Sequence, residues 1–293
     1  MSVIACQHIR RMRGGANAHL MLADDRHYYV VKFRNNPQHA RILVNELVSY
    51  VLLDYLQLPA PRWDIVEVPE ELIEGSPEMT MEAGWKNRRC EAGLHFGSRW
   101  PVDLHRRAVY DYLPWSMMEL VVNLRTFCGM VAFDKWVSNA NGRQAIFFRD
   151  RAGRWMLSDD DSSRVASRSL AYAANMIDHG FAFNAQTWEF PDSAERGLYS
   201  RREVYRHVTG FDDFQPWLGR IEDCPEMVLD DAAKRIPPLW FDYDFDALEG
   251  MLEQLYARRK RVADLVKDSK NAGRDPFPDW SLRVGSAVAS RGR

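Results

Sequence analysis

Residues 40–56 predict a helix that is apolar on nearly every face, with Ile42, Leu43, Leu47, Tyr50 and Val51 among its members. A helix of that kind is stable only inside a domain, walled on all sides by other elements. It nevertheless carries Glu46. A carboxylate set among core residues needs a partner or an upward-shifted pKa. The preceding strand-like run, Tyr28-Tyr-Val-Val-Lys32-Phe33, offers a partner in Lys32. Ammonium and carboxylate are therefore expected to meet. The plainer alternatives are an edge-strand lysine facing water and a glutamate on a solvent face.

Around this pair the chain divides. Residues 18–33 read as a hairpin turning at Ala23-Asp-Asp-Arg26. Pro59 and Pro61 stop the helix, and residues 63–68 form another strand. Residues 69–93, rich in Glu, Gly and Pro, read as a surface excursion. A second apolar helix is expected over 116–133, then strands over 144–148 and 155–157 joined by a turn at Asp150-Arg-Ala-Gly153. Residues 158–175 read as a polar, mobile stretch, and 201–266 as mainly helical. The tail is Gly-, Ser- and Arg-rich, with Phe277 and Trp280 able to dock.

Several polar residues follow in an order that suggests chemistry. Gly14-Gly15 forms a turn that lets the backbone approach phosphate groups. Lys32 and Glu46 come next. Asp134 and Asn139 follow, with the spacing of a loop that orients a hydroxyl and binds a metal. Asp178, in Met176-Ile-Asp-His-Gly180, suits a carboxylate at a strand end that meets Mg²⁺. Together these are the parts of a kinase. Asp134 also reads as a helix-end anchor for its loop. Asp159-Asp160-Asp161 reads as a solvated loop, and His179 is the histidine closest to the candidate metal site. The aromatic residues of 180–190 read as core.

Composition narrows the class. A chain of 293 residues exceeds the usual single-core size, so two lobes are expected. A net charge of −2 argues against direct nucleic-acid binding or a membrane surface, although a local basic patch remains compatible. Cys6, Cys90, Cys128 and Cys224 show no metal-ligand or redox spacing, which fits a reducing compartment. Polar residues interrupt the longest apolar stretch, so no membrane span is expected. The N-terminus lacks the charge order of a secretory signal, and a cytoplasmic location is expected.

The sequence resembles the HipA-like kinase family from about Gly14 to Trp217. The resemblance rests on Gly14-Gly-Ala-Asn-Ala-His-Leu20, Val31-Lys32, Asn45-Glu46, Phe133-Asp-Lys-Trp136, Asn139-x-Asn141-Gly-Arg143 and Ile177-Asp178-x-Gly180. It implies an α+β, bilobal protein-kinase-like fold. A small β-rich N-terminal lobe with one helix would precede a larger, mainly helical C-terminal lobe. The expected division is 1–98 for the first lobe, 99–115 for the linker, 116–266 for the second and 267–293 for the tail. It also implies ATP, Mg²⁺ and transfer to a Ser or Thr of a protein. Gly14, Gly15, Lys32 and Glu46 would hold the nucleotide, Asp178 and Asn139 the metal, and Asp134, Asn139 and Asn141 the catalytic loop. Toxin members of the family pair with a DNA-binding antitoxin, so an antitoxin-like partner is left open.

One departure stands out. The family's catalytic aspartate position holds Asn141, and its metal-binding asparagine position holds Ile146. An amide is no carboxylate base, and an isoleucine binds no metal. Two readings follow, a kinase served by nearby groups or a nucleotide-binding pseudokinase. A small-molecule kinase is a third, weakened by the lack of a His-Gly-Asp loop.

Overall fold

Five strands close into a barrel at the N-terminal end: β1 (Val3–Arg11), β2 (His19–Ala23), β3 (Tyr28–Lys32), β4 (Trp63–Val68) and β7 (Gly93–Arg99). Their order around the barrel is β1-β2-β3-β7-β4, with β4 returning parallel to β1. The computed structural model describes residues 2–155, 169–273 and 275–280. The expected hairpin is β2–β3. Strand β1 was not expected from the N-terminal sequence, because its burial follows no simple alternation; it shifts register twice against β2.

The helix α1 (Ile42–Leu56) is buried at every residue except Asp54 and Tyr55. Though close in sequence to the barrel, it belongs to the larger core, shared with the helices that follow. Residues 69–93 are more ordered than their composition suggests. They form α2 (Glu70–Gly75) and a hairpin of β5 (Thr80–Ala83) with β6 (Lys86–Arg89). Ile73, Met79, Met81 and Cys90 are buried there and join the barrel's own core.

The connection after β7 contributes β8 (Val109–Tyr110) to a second sheet, of order β10-β9-β8. Its other strands are β9 (Gln144–Arg151) and β10 (Leu170–Ile177). The expected helix over 116–133 is instead a short α3 (Trp115–Met118) and a separate α4 (Thr126–Trp136). The partner of β9 is β10, formed in part by residues expected to be mobile; of the expected strand 155–157, Trp155 lies in the turn after β9 and 156–157 lie outside the described residues. Asp159, Asp160 and Asp161 lie outside the described residues. Helices α5 (Trp217–Glu222), α6 (Glu226–Arg235), α7 (Phe245–Arg258) and α8 (Val262–Lys270) complete the C-terminal region. Phe277 docks into it, fully buried beside Tyr205, Phe214 and Trp280. The N-terminal part is thus β-rich and the C-terminal part mainly helical. Among the described residues, no helix is long and apolar enough to cross a membrane.

Candidate functional site

Lys32 ends β3, Glu46 sits in the second turn of α1, and Asp178 follows the last residue of β10. The Lys32 ammonium donates to Glu46 and, at 2.7 Å, to Oδ1 of Asp178. The backbone N–H of His179 donates to Glu46 at 3.0 Å. Burial alone would lower the Lys32 pKa, but Asp178 and Glu46 together hold it above its ordinary value. Burial likewise works against the charged form of Asp178, yet the Lys32 ammonium keeps its pKa below normal. For Glu46 burial wins over Lys32, and its pKa is raised.

The three side chains form part of the wall of a cleft of about 950 Å³ between the barrel and the second sheet. Gly14 and Gly15, in the turn between β1 and β2, lie along it. Gly14 has φ +112°, a conformation that favours glycine. Arg10, Arg13, Arg99 and Arg201 also reach the cleft, against the carboxylates of Glu46, Asp111 and Asp178. The first and last of those carboxylates are already committed to Lys32. The balance is positive and suits a polyphosphate.

The segment after Asp178 is held by α1. Asn45 donates at 2.8 Å to the carbonyls of Gly180, Ala182 and Ala185, and accepts from the Trp188 indole at 2.8 Å. A side chain on Gly180 would press to 2.6 Å against Ile42. Residue 180 must therefore stay small for the Asp178 segment to lie on α1 and face Lys32.

A second charge pair lies behind the first. Asp134, in the last turn of α4, is fully buried and takes both ends of the Arg143 guanidinium, Nε at 2.9 Å and Nη2 in a closer contact. Arg143 also donates to the Ile177 carbonyl at 2.8 Å and lies 3.2 Å from Nδ1 of His179. Asn139 donates to Asp134 at 2.9 Å and accepts the Asn141 N–H at 3.0 Å.

A family model described as HipA-like kinase matches residues 6–267. The chain belongs to the HipA-like kinase family. No curated protein matches it. A crystal structure of the Golgi casein kinase aligns over 91% of this chain and 73% of its own, at 11% identity and a TM-score of 0.47. A second, of the Golgi casein kinase with Mn/ADP bound, covers the same shares at 12% identity and a TM-score of 0.45.

The fold brings Gly14, Gly15, Lys32, Glu46 and Asp178 to one cleft and leaves Asp134, Asn139 and Asn141 off its wall. The expectation of Asp134 as a proton acceptor gives way to the anchor reading, because both its oxygens are taken and no solvent reaches it. Asn139 has both ends of its amide engaged, which leaves it poorly placed as a metal ligand. Ile146 does line the cleft. Sequence reasoning named Asn45 and Arg143 without giving either a task. The signals were there: a polar residue beside Glu46 in a buried helix, and a single cation nine residues beyond Asp134. Lys135, in the same motif as Asp134, holds the backbone carbonyls of Ser193, Ala194 and Arg196.

Proposed function

We propose that this protein is a slow ATP- and Mg²⁺-dependent kinase that transfers phosphate to a Ser or Thr hydroxyl of a protein. The observation that supports it is Lys32, held between Glu46 and Asp178 on the wall of a positively charged cleft beside Gly14-Gly15. Lys32 would meet the phosphates, and Glu46 would keep its ammonium in place. The residues fit a divalent cation through one carboxylate, Asp178, whose described contact engages Oδ1 alone. Bound there, Mg²⁺ would neutralise charge on the transferring phosphate. The arginines of the cleft supply further fixed positive charge.

No carboxylate stands where a proton acceptor is expected. Such a group is typically worth about a hundred- to ten-thousand-fold in rate. Phosphoryl transfer depends mainly on positioning and charge stabilisation, so its loss slows the reaction without removing it. The sealed Asp134 and the apolar Ile146 favour a second reading, a pseudokinase that binds nucleotide as a regulatory module.

Transfer of label from γ-labelled ATP with Mg²⁺, to the protein itself or to a lysate, separates the two. A slow signal lost in Lys32→Met and raised in Asn141→Asp supports the kinase. A thermal shift with ATP and Mg²⁺ but no label in either wild type or Asn141→Asp selects the pseudokinase. Absence of both shift and label at millimolar nucleotide removes both readings.

A further inference from the structure

Adjoining the cleft along the connection that follows β7 lies a second cavity of about 970 Å³. Six arginines line it, from separate parts of the chain. Arg26 comes from the turn between β2 and β3, Arg62 precedes β4 and Arg99 ends β7. Arg106 and Arg107 come from the connection, and Arg154 follows β9. Among the described residues two carboxylates oppose them. Asp150 is shared by Arg107 at 3.0 Å and Arg154 at 3.4 Å, and Asp103 lies 3.8 Å from Arg106. Among the described residues Arg26, Arg62 and Arg99 form no ion pair. On a chain of net charge −2, such a concentration of positive charge at one cavity raises folding cost through self-repulsion.

The cavity also holds polar groups without partners among the described residues. Asn175, on β10, is only 3% exposed, and its Oδ1 makes no hydrogen bond. The buried indole N–H of Trp100 has none either. Each such group costs free energy unless something else satisfies it. Its amide lets Asn175 offer either a donor or an acceptor by rotation. Guanidinium groups bind phosphate in a fixed, two-pronged geometry.

We infer that this cavity is a second ligand site, which takes a small molecule bearing two or more phosphate groups. Its size lies within the range of small-molecule sites, about 300–1,000 Å³. Its charge is concentrated in a bounded pocket rather than spread along a track, which favours a small polyanion over a nucleic-acid strand. Pro61, Arg99, Trp100 and Pro101 line both this cavity and the front cleft, so a test must tell the two apart.

The probe is inorganic triphosphate, titrated calorimetrically into the full chain. Arg26→Asn with Arg62→Gln removes two charges without touching the front cleft, and asparagine tolerates the positive φ at position 26. This double variant should weaken triphosphate binding at least tenfold, leave the ATP-dependent thermal shift unchanged and melt as wild type does. Lys32→Met should keep the triphosphate site. Two titration results overturn the inference: triphosphate binding lost in Lys32→Met but kept in the arginine double variant, or no binding at all at millimolar triphosphate. A labelled single-stranded oligonucleotide that binds through the same arginines and is not displaced by triphosphate overturns it in favour of nucleic acid.

Discussion

The molecule holds two buried charge pairs side by side, built from the same chemistry and put to different ends. Arg143 and Asp134 are sealed, both side chains wholly out of solvent. Lys32 keeps about 10% of its side chain exposed, and its partner Asp178 about 18%. The cation types suit the difference. A guanidinium is a rigid fork whose donors are satisfied together, here by Asp134 and the Ile177 carbonyl, with His179 close by. An ammonium is a compact charge on a flexible stem and can exchange one oxygen partner for another. Arginine fixes the loop; lysine is left able to meet a ligand. His179 joins the two, its N–H on Glu46 and its ring beside Arg143.

Breaking the sealed pair should have the largest effect. Asp134→Ala leaves a buried guanidinium without its counter-charge, and stability should fall by about 3–5 kcal/mol in denaturant unfolding. A loss below about 1 kcal/mol would mean that water reaches Arg143, and the contrast between the pairs would collapse.

The open pair should show itself through ligand rather than fold. A ligand present at a hundred times its dissociation constant stabilises the folded state by about 2.7 kcal/mol. In a thermal-shift assay with ATP and Mg²⁺, Lys32→Met should lose that gain, and Asp178→Ala should lose its dependence on Mg²⁺. Neither should lower stability as much as Asp134→Ala. A shift that survives Lys32→Met would place the nucleotide elsewhere.

The link between the pairs is tested by pH. Burial, aided by the nearby Arg143 and Lys32, holds the His179 pKa well below 6.5, so the ring stays neutral in the fold. The unfolded chain gains a proton there as pH falls through 6.5 and the folded chain does not, so stability is lost on acidification. His19 and His95, each pushed down by burial to about 4, act with the same sign. His179→Asn should therefore flatten the wild-type slope below pH 6.5 by one proton's share, about 1.4 kcal/mol per pH unit. An identical slope in variant and wild type would show that the ring titrates freely.

The sequence by itself determined the buried helix, the lysine-bearing strand before it and the meeting of Lys32 with Glu46. Those are short-range consequences of periodicity: an acid in a helix buried all round needs a cation, and the adjoining strand carries one. The order of Gly14-Gly15, Lys32, Glu46 and Asp178 likewise marked out one wall of a cleft. Only the tertiary structure decided which distant charges meet. Asp134 carries the same local signature whether it faces a cleft or a guanidinium, and the register of β9 on β10, with the turn of α4, sets it against Arg143. Order in 69–93 and in β10 was hidden for a related reason. The composition of 69–93 reads as loop, yet a few side chains buried in the barrel's core hold it, and β10 follows a polar run but is held by its ladder on β9. Local pattern records how much of a segment must be buried; long-range pairing chooses what buries it.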